Sequence, residues 1–235
     1  MNDEKKYQLF YLPYSGGKST SFMQIGNLLS DNVEIYYIEY PGRCSRIKEP
    51  YIDNYEDFLS DLTDQIRVRR NRDLPCVLFG YSIGALFAYD LVLKGLVEGK
   101  ICHMLLGGCC SADIHEKYNT ALSSLAESEF WEKVIEMGGV SEELVKRKKF
   151  LRFFSKSLRA DFRLGEQYKF DGTLPLPECD ATILYSDTDT PYVTVEGWKK
   201  LFNGKVEFEK YEGNHFFAFE NFERTANIIN ERMHI

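Results

Sequence analysis

The chain has 235 residues, 44% of them hydrophobic and 28% charged, and a formal net charge of −7 at pH 7. This size and composition predict one folded domain, 1–235, and argue against a disordered chain. The negative charge argues against nucleic acid as the main partner, because phosphate binding calls for a basic surface.

Taken in chain order, short β-rich runs alternate with helical patterns. The charged N-terminus is followed by an apolar run too short for a signal-peptide core or a membrane span, so we expect a cytoplasmic protein with no membrane partner. Strands are predicted at 7–12, 33–40, 76–79, 101–106, 181–185 and 206–211, and helices near 22–29, 55–69, 83–96, 193–201 and 222–232. This alternation predicts an α/β fold, with a mostly parallel central sheet flanked by helices.

One stretch, from about 113 to 170, has helical periodicity and no strand pattern, although it lies between two predicted strands. It predicts a helical insertion over the sheet. The alternative is an ordinary pair of surface helices in a longer crossover. The position matters because ligands of such sheets bind outside the carboxyl ends of the parallel strands.

The cysteines lack Cys-x-x-Cys spacing, and four of the six lie in or beside strand-like stretches. We therefore expect reduced, packed thiols rather than disulfides or a metal site, and no cofactor of the protein's own. The six are Cys44, Cys76, Cys102, Cys109, Cys110 and Cys179.

A Gly-x-Ser-x-Gly pattern stands at 80–84, with Ser82 at its centre. A strand-like run precedes it and a helical pattern follows it, which is the strand–turn–helix setting of a nucleophile elbow. The motif predicts that Ser82 is a nucleophile. The alternative is a glycine-rich turn whose serine only caps a helix.

A serine nucleophile needs a base, and a histidine on a loop late in the chain is the expected partner. Of the four histidines, His215 follows a predicted strand in a turn-rich segment and is the expected base. A carboxylate should orient it from a position after an intervening strand. Both Asp187 and Asp189 qualify, and we favour Asp189 over Asp187, which could instead be a turn residue bonded to its own backbone.

An oxyanion hole needs two N–H donors. The amide after the nucleophile, Ile83, is one, and the loop after the first strand supplies the second, which we assign to Ser15. A phosphate-binding role for Gly16-Gly17-Lys18-Ser19 is the alternative, but Leu12 stands where that motif requires its first glycine.

In addition to these candidate catalytic residues, the chain has several longer motifs. Through them it resembles the type II thioesterases of nonribosomal peptide and polyketide synthases, which are members of the α/β-hydrolase superfamily. The resemblance runs nearly end to end. It is carried by Pro13-Tyr14-Ser15-Gly16-Gly17, Tyr40-Pro41-Gly42-Arg43 with Arg46 and Glu49-Pro50, Leu158-Arg159-Ala160-Asp161-Phe162 with Glu166 and Tyr168, and Gly213-Asn214-His215-Phe216-Phe217. The chain departs from the family pattern at Ser15, Tyr81, Ser186 and Thr190. None of these departures replaces a catalytic residue, and the last leaves both Asp187 and Asp189 open as the acid that follows the strand.

The resemblance implies an α/β-hydrolase fold with a helical lid, and hydrolysis of stalled or aberrant acyl groups from the phosphopantetheine arm of a carrier protein. The expected partners are acyl- or peptidyl-carrier domains of a synthase, which bring the phosphopantetheine themselves. Two other functions stay open at this point. One is a free-standing esterase or lipase acting on small esters, and the other is a catalytically inactive binding protein of the same fold.

The insertion carries two stripes at helical spacing. An apolar stripe of Leu151, Phe154, Leu158 and Phe162 is expected to pack on the sheet or line an acyl channel, and Tyr14 and Tyr81 are further expected substrate contacts. A basic stripe is the expected carrier-docking surface, unless it is only a solvated face. Its residues are Lys148, Arg152, Lys156, Arg159 and Arg163.

Overall fold

The computed structural model describes residues 5–118, 120–138, 140 and 148–234. Six strands form one sheet in the order β2-β1-β3-β4-β5-β6, and every neighbouring pair is parallel. The strands are β1 (Tyr7–Leu12), β2 (Val33–Tyr37), β3 (Cys76–Tyr81), β4 (Ile101–Gly107), β5 (Asp180–Ser186) and β6 (Val206–Tyr211). The predicted α/β class is confirmed.

The helices of the described residues cover both faces of this sheet. The α-helices are α1 (Met23–Gly26), α2 (Tyr55–Arg67), α3 (Ile83–Leu93), α4 (His115–Tyr118), α5 (Glu127–Glu136), α6 (Lys148–Gln167), α7 (Tyr192–Val195), α8 (Phe217–Glu220) and α9 (Phe222–Arg232). Short 3-10 helices lie at Ser19–Phe22, Cys44–Arg46, Ala112–Ile114, Leu122–Ser124 and Glu196–Lys200. Within these ranges, every helix is too short or too polar to cross a lipid bilayer.

Two hydrophobic layers enclose the sheet. One holds α2, α3 and the segment around Trp198, and the other holds α1, α8 and α9. All six residues of β3 are buried, as expected for a parallel strand that is covered on both faces. Helix α3 is buried along nearly its whole length. Its packing holds the helix in place and therefore also the turn at its N-terminus.

Between β4 and β5, the described part of the predicted insertion contains α4, α5, α6 and two 3-10 helices, and no strand. Helices α5 and α6 share a small hydrophobic cluster of their own, built on Phe130, Trp131 and Leu158. The described residues of this insertion lie beside the carboxyl end of the sheet, because several of them line a cavity there together with Ser82.

Candidate active site

Ser82 lies on the turn between β3 and α3 and has a backbone conformation rare for a residue with a side chain, with φ 56° and ψ −124°. The turn is tight on both sides. A Cβ at Gly80 would lie 2.2 Å from the carbonyl oxygen of Gly84, and one at Gly84 would lie 2.3 Å from that of Leu12. The two glycines of the motif are therefore required by space, and the turn has the form of a nucleophile elbow.

His215 and Asp189 are in contact. His215 Nδ1 lies 2.8 Å from Asp189 Oδ1, and the two side chains are only 10% and 16% exposed. Asp187, the other candidate, pairs instead with Lys210 at 2.5 Å, and both of those side chains are about half exposed. The structure thus brings Asp189, and not Asp187, to the imidazole.

The loop that carries His215 is fixed by hydrogen bonds from neighbouring strand ends. Tyr81 Oη donates to the carbonyl oxygen of His215 at 3.0 Å, and Ser186 Oγ donates to that of Gly213 at 2.6 Å. Burial raises the pKa of Tyr81 well above its ordinary value, so its hydroxyl stays protonated and able to donate. Tyr81 has no exposed surface, and the expectation that it contacts substrate is therefore wrong.

Ser82, His215 and Asp189 line one cavity of about 570 Å³ at the carboxyl end of the sheet, and Ser15 and Ile83 line it too. A narrower extension of about 50 Å³ also reaches Ser82 and His215. Its walls include Tyr14, Phe154, Leu158 and Phe162. The apolar stripe of α6 thus faces the nucleophile, while Leu151 packs in the cluster between α5 and α6.

The loop after β1 is held by a buried ion pair. Arg43 binds Asp161 through two hydrogen bonds of 2.7 and 2.8 Å, and the side chains are 6% and 2% exposed. Asp161 Oδ2 also accepts from the backbone N–H of Gly16 at 2.6 Å, and Arg43 donates to the carbonyl oxygen of Gly17 at 3.2 Å. Helix α6 is in this way bonded to the residue next to Ser15. Both charged residues belong to the family motifs named above, but the sequence did not predict that they form an ion pair.

Ile83 is the first residue of α3, and the first N–H groups of a helix have no acceptor within the helix. Ser15, on the loop after β1, lies on the same cavity wall as Ile83 and Ser82. The positive end of the α3 dipole lies at the same place and favours negative charge there.

Of the expected basic stripe, the structure describes the side chains of Lys156, Arg159 and Arg163. Arg159 donates to the carbonyl oxygens of Ser123 and Leu125 and lies over the ring of Phe130. Arg163 pairs with Asp53 at 2.8 Å. Lys156 is exposed, and the side chains of Lys148 and Arg152 lie outside the described residues.

Two thiols, Cys109 and Cys110, lie near the carboxyl end of β4, and both reach the cavity wall. A hydrogen bond between them raises the pKa of Cys109 and lowers that of Cys110. All six cysteines are free, and Cys44 is exposed rather than packed.

A parallel sheet with Ser82 on the turn after β3, and an aspartate and a histidine after later strands, defines an α/β-hydrolase. A family model described as the thioesterase domain matches residues 7–233. The chain belongs to this thioesterase family and is a thioester hydrolase.

Three relatives illustrate the similarity. The probable anguibactin biosynthesis thioesterase AngT of Vibrio anguillarum is 29% identical over 229 residues, covering 94% of this chain and 88% of the relative. The medium-chain S-acyl fatty acid synthase thioesterase of Homo sapiens is 26% identical, covering 93% and 83%. The solved structure of ClbQ from the colibactin NRPS/PKS pathway has a TM-score of 0.89 and 26% identity, covering 98% of both chains. The resemblance drawn from the sequence motifs is confirmed.

Proposed function

We propose that this protein releases acyl groups from the phosphopantetheine arm of carrier proteins in a nonribosomal peptide or polyketide pathway, with Ser82, His215 and Asp189 as its catalytic triad. The observation that carries the proposal is the contact of His215 with Asp189 on the same cavity that Ser82 lines. The pathway names of the relatives support the choice of substrate. We also propose a cytoplasmic location, as expected from the sequence.

The first step forms an acyl-enzyme. Ser82 Oγ attacks the thioester carbonyl carbon while His215 Nε2 takes the hydroxyl proton, and Asp189 stabilises the imidazolium through Nδ1. The amides of Ile83 and Ser15 donate to the oxyanion. The intermediate then expels the phosphopantetheine sulfur, which leaves readily because a thiol has a pKa of about 8.5. The departing thiolate takes the proton from the His215 imidazolium, so the imidazole is neutral again before water enters.

The second step frees the acid. Water gives a proton to His215 and attacks the ester carbonyl of the acyl-enzyme, and the proton then returns to Ser82 as the ester bond breaks. No cofactor of the protein's own takes part. Phosphopantetheine arrives and leaves on the carrier.

We place the acyl chain at the narrow extension of the cavity, beside Ser82. Phe154, Leu158 and Phe162 give it an apolar wall that continues from the nucleophile, so a hydrocarbon chain placed there leaves water. We place the phosphopantetheine arm in the larger part of the cavity, whose volume is about 570 Å³.

The test is mass spectrometry of a carrier protein loaded in turn with several acyl groups, before and after exposure to the enzyme. Wild-type protein is expected to return the free phosphopantetheine thiol. Ser82→Ala is expected to slow this by at least about 10⁴-fold. Ser60→Ala, an exposed serine on α2, is the matched control and should react like wild type.

A small-ester hydrolase is the second candidate, because the same triad would cleave oxygen esters. Comparing carrier-bound thioesters with a soluble aryl ester of the same acyl group separates the two. Rapid ester cleavage with an intact acyl-carrier would reject the proposed substrate. Failure of a fluorophosphonate probe to label Ser82 in folded protein would instead favour a catalytically inactive binding protein.

A further inference from the structure

Three possible metal ligands meet where the chain leaves β4. Cys109 and Cys110 follow this strand, and His115 begins α4. Cys110 Sγ lies 3.9 Å from His115 Nδ1, and the ligand atoms of the three residues all lie within 4.8 Å of one another. Among the described residues, no other group of three or more histidine, cysteine or acidic side chains is as close.

The ring of His115 is oriented for binding an ion. Its Nε2 lies 3.1 Å from the carbonyl oxygen of Gly165 in α6. A carbonyl oxygen only accepts, so Nε2 carries the proton, and Nδ1 presents its lone pair toward Cys110. Histidines that bind metals are held in this way, because the second nitrogen donates to a backbone carbonyl or a carboxylate and so fixes the tautomer.

We propose that Cys109, Cys110 and His115 bind a thiophilic divalent cation such as zinc. Two thiolates and one imidazole nitrogen are ligands that zinc prefers, and three protein ligands leave the fourth tetrahedral position open. Binding releases the two thiol protons to solvent, so the doubly charged ion is balanced by two thiolates.

The surroundings suit a cation. Cys109, Cys110 and His115 all lie on the wall of the cavity that Ser82 also lines, so an ion bound by them would be reached from that cavity. Three acidic residues, Glu136, Glu166 and Asp189, line the same cavity with one lysine, Lys133, so acidic side chains outnumber the lysine there.

This site departs from the expectation drawn from cysteine spacing. Adjacent cysteines match none of the usual zinc patterns, and the third ligand is supplied only when the turn into α4 brings His115 back to the thiols. The inference does not depend on the carrier-protein substrate proposed above.

Cobalt is a direct probe, because thiolate-bound Co²⁺ gives intense charge-transfer absorption. Reduced wild-type protein titrated with Co²⁺ is expected to show this absorption, saturating at one ion per chain, and Zn²⁺ should abolish it by displacement. Loss of a hydrogen-bonding group outside the ligand set already costs roughly 10- to 100-fold in affinity. Cys110→Ser and His115→Gln, each of which removes a ligand, should therefore cost more than about 100-fold.

Two controls separate this site from other thiols and from catalysis. Cys44→Ser removes an exposed cysteine outside the cluster and should bind cobalt like wild type. Ser82→Ala should also bind like wild type while losing hydrolysis. Circular dichroism of each variant verifies the fold, and His115→Gln keeps an amide that can donate to Gly165. The proposal is overturned if wild-type protein gives no thiolate–cobalt absorption at equimolar metal, or if Cys110→Ser binds cobalt as tightly as wild type.

Discussion

Asp187 and Asp189 lie two positions apart, and the turn that follows β5 separates their environments. The N–H groups of Asp189 and Thr190 both donate to the carbonyl oxygen of Ser186, at 3.1 and 2.8 Å. This turn directs Asp189 inward to His215, whereas Asp187 points out to Lys210 on β6. The sequence predicts that an acid follows β5. The sequence alone can only rank Asp187 and Asp189, because which of them reaches His215 depends on a turn that backbone hydrogen bonds close.

Replacing each aspartate with asparagine distinguishes the carboxylate that orients His215 from the one that only adds charge at the surface. Asp189→Asn is expected to lower kcat by about 10⁴-fold, because an amide can hold the imidazole in the wrong tautomer and cannot stabilise its positive charge. Asp187→Asn removes only a half-exposed ion pair and should stay within about threefold of wild type. Release of free thiol from an acyl thioester measures both rates. Equal losses in the two variants would contradict the assignment of Asp189.

At the scale of elements, a long-range link in the site joins helix α6 to the loop after β1. Arg43 and Asp161 are 118 residues apart in sequence, and their pair also fixes the N–H of Gly16. Nothing in the periodicity of α6 indicates this partner, since only tertiary packing brings the two charges together. The apolar stripe of the same helix was predictable, because helical spacing alone places Phe154 and Leu158 on one face.

Replacing both charges tests whether this link positions the oxyanion loop. Asp161→Leu alone should lose about 3 to 5 kcal/mol of stability, because it leaves Arg43 buried without its partner. Arg43→Met with Asp161→Leu should recover most of that stability. The double variant should still lose about 100-fold or more in kcat, because Gly16 no longer has its acceptor and the Ser15 amide shifts.

Urea unfolding and steady-state hydrolysis of an acyl thioester measure the two effects separately. Arg163→Ala is the matched control, since it removes a half-exposed ion pair with Asp53 from the same helix. It should change stability by less than about 1 kcal/mol and leave the rate intact. A double variant with wild-type kcat would mean that the buried pair serves stability alone.

At the scale of the whole molecule, the central strands of the sheet were predictable because parallel strands covered on both faces read as largely apolar runs. The apolar pattern predicts which residues are buried, but not which of them belong to the sheet. Ile38 and Tyr40 were expected in the second strand and are buried, but β2 ends at Tyr37. Likewise, the helix predicted at 193–201 is one α turn followed by a 3-10 helix.

The sheet also buries a histidine, which makes stability depend on pH. His103 on β4 is 5% exposed, and its Nε2 lies 2.8 Å from Thr182 Oγ1 on β5. Burial, together with the positive charge of Arg232, lowers its pKa from 6.5 to about 4. Between these pH values the unfolded chain binds the proton and the folded chain does not, so the free energy of unfolding falls as the pH falls.

His103→Gln tests this account, because glutamine keeps a polar contact for Thr182 and cannot titrate. In wild-type protein, the His103 imidazole should not change the free energy of unfolding above about pH 6.5. It should lower that free energy by about 3 kcal/mol once the pH has fallen through 4. The carboxylates contribute alike to both proteins, so the variant should show a flatter loss of stability over this window, whatever its constant offset at pH 7. Urea unfolding from pH 7.5 to pH 4 gives the two curves. If they run parallel, the buried imidazole is not the group whose protonation destabilises the fold.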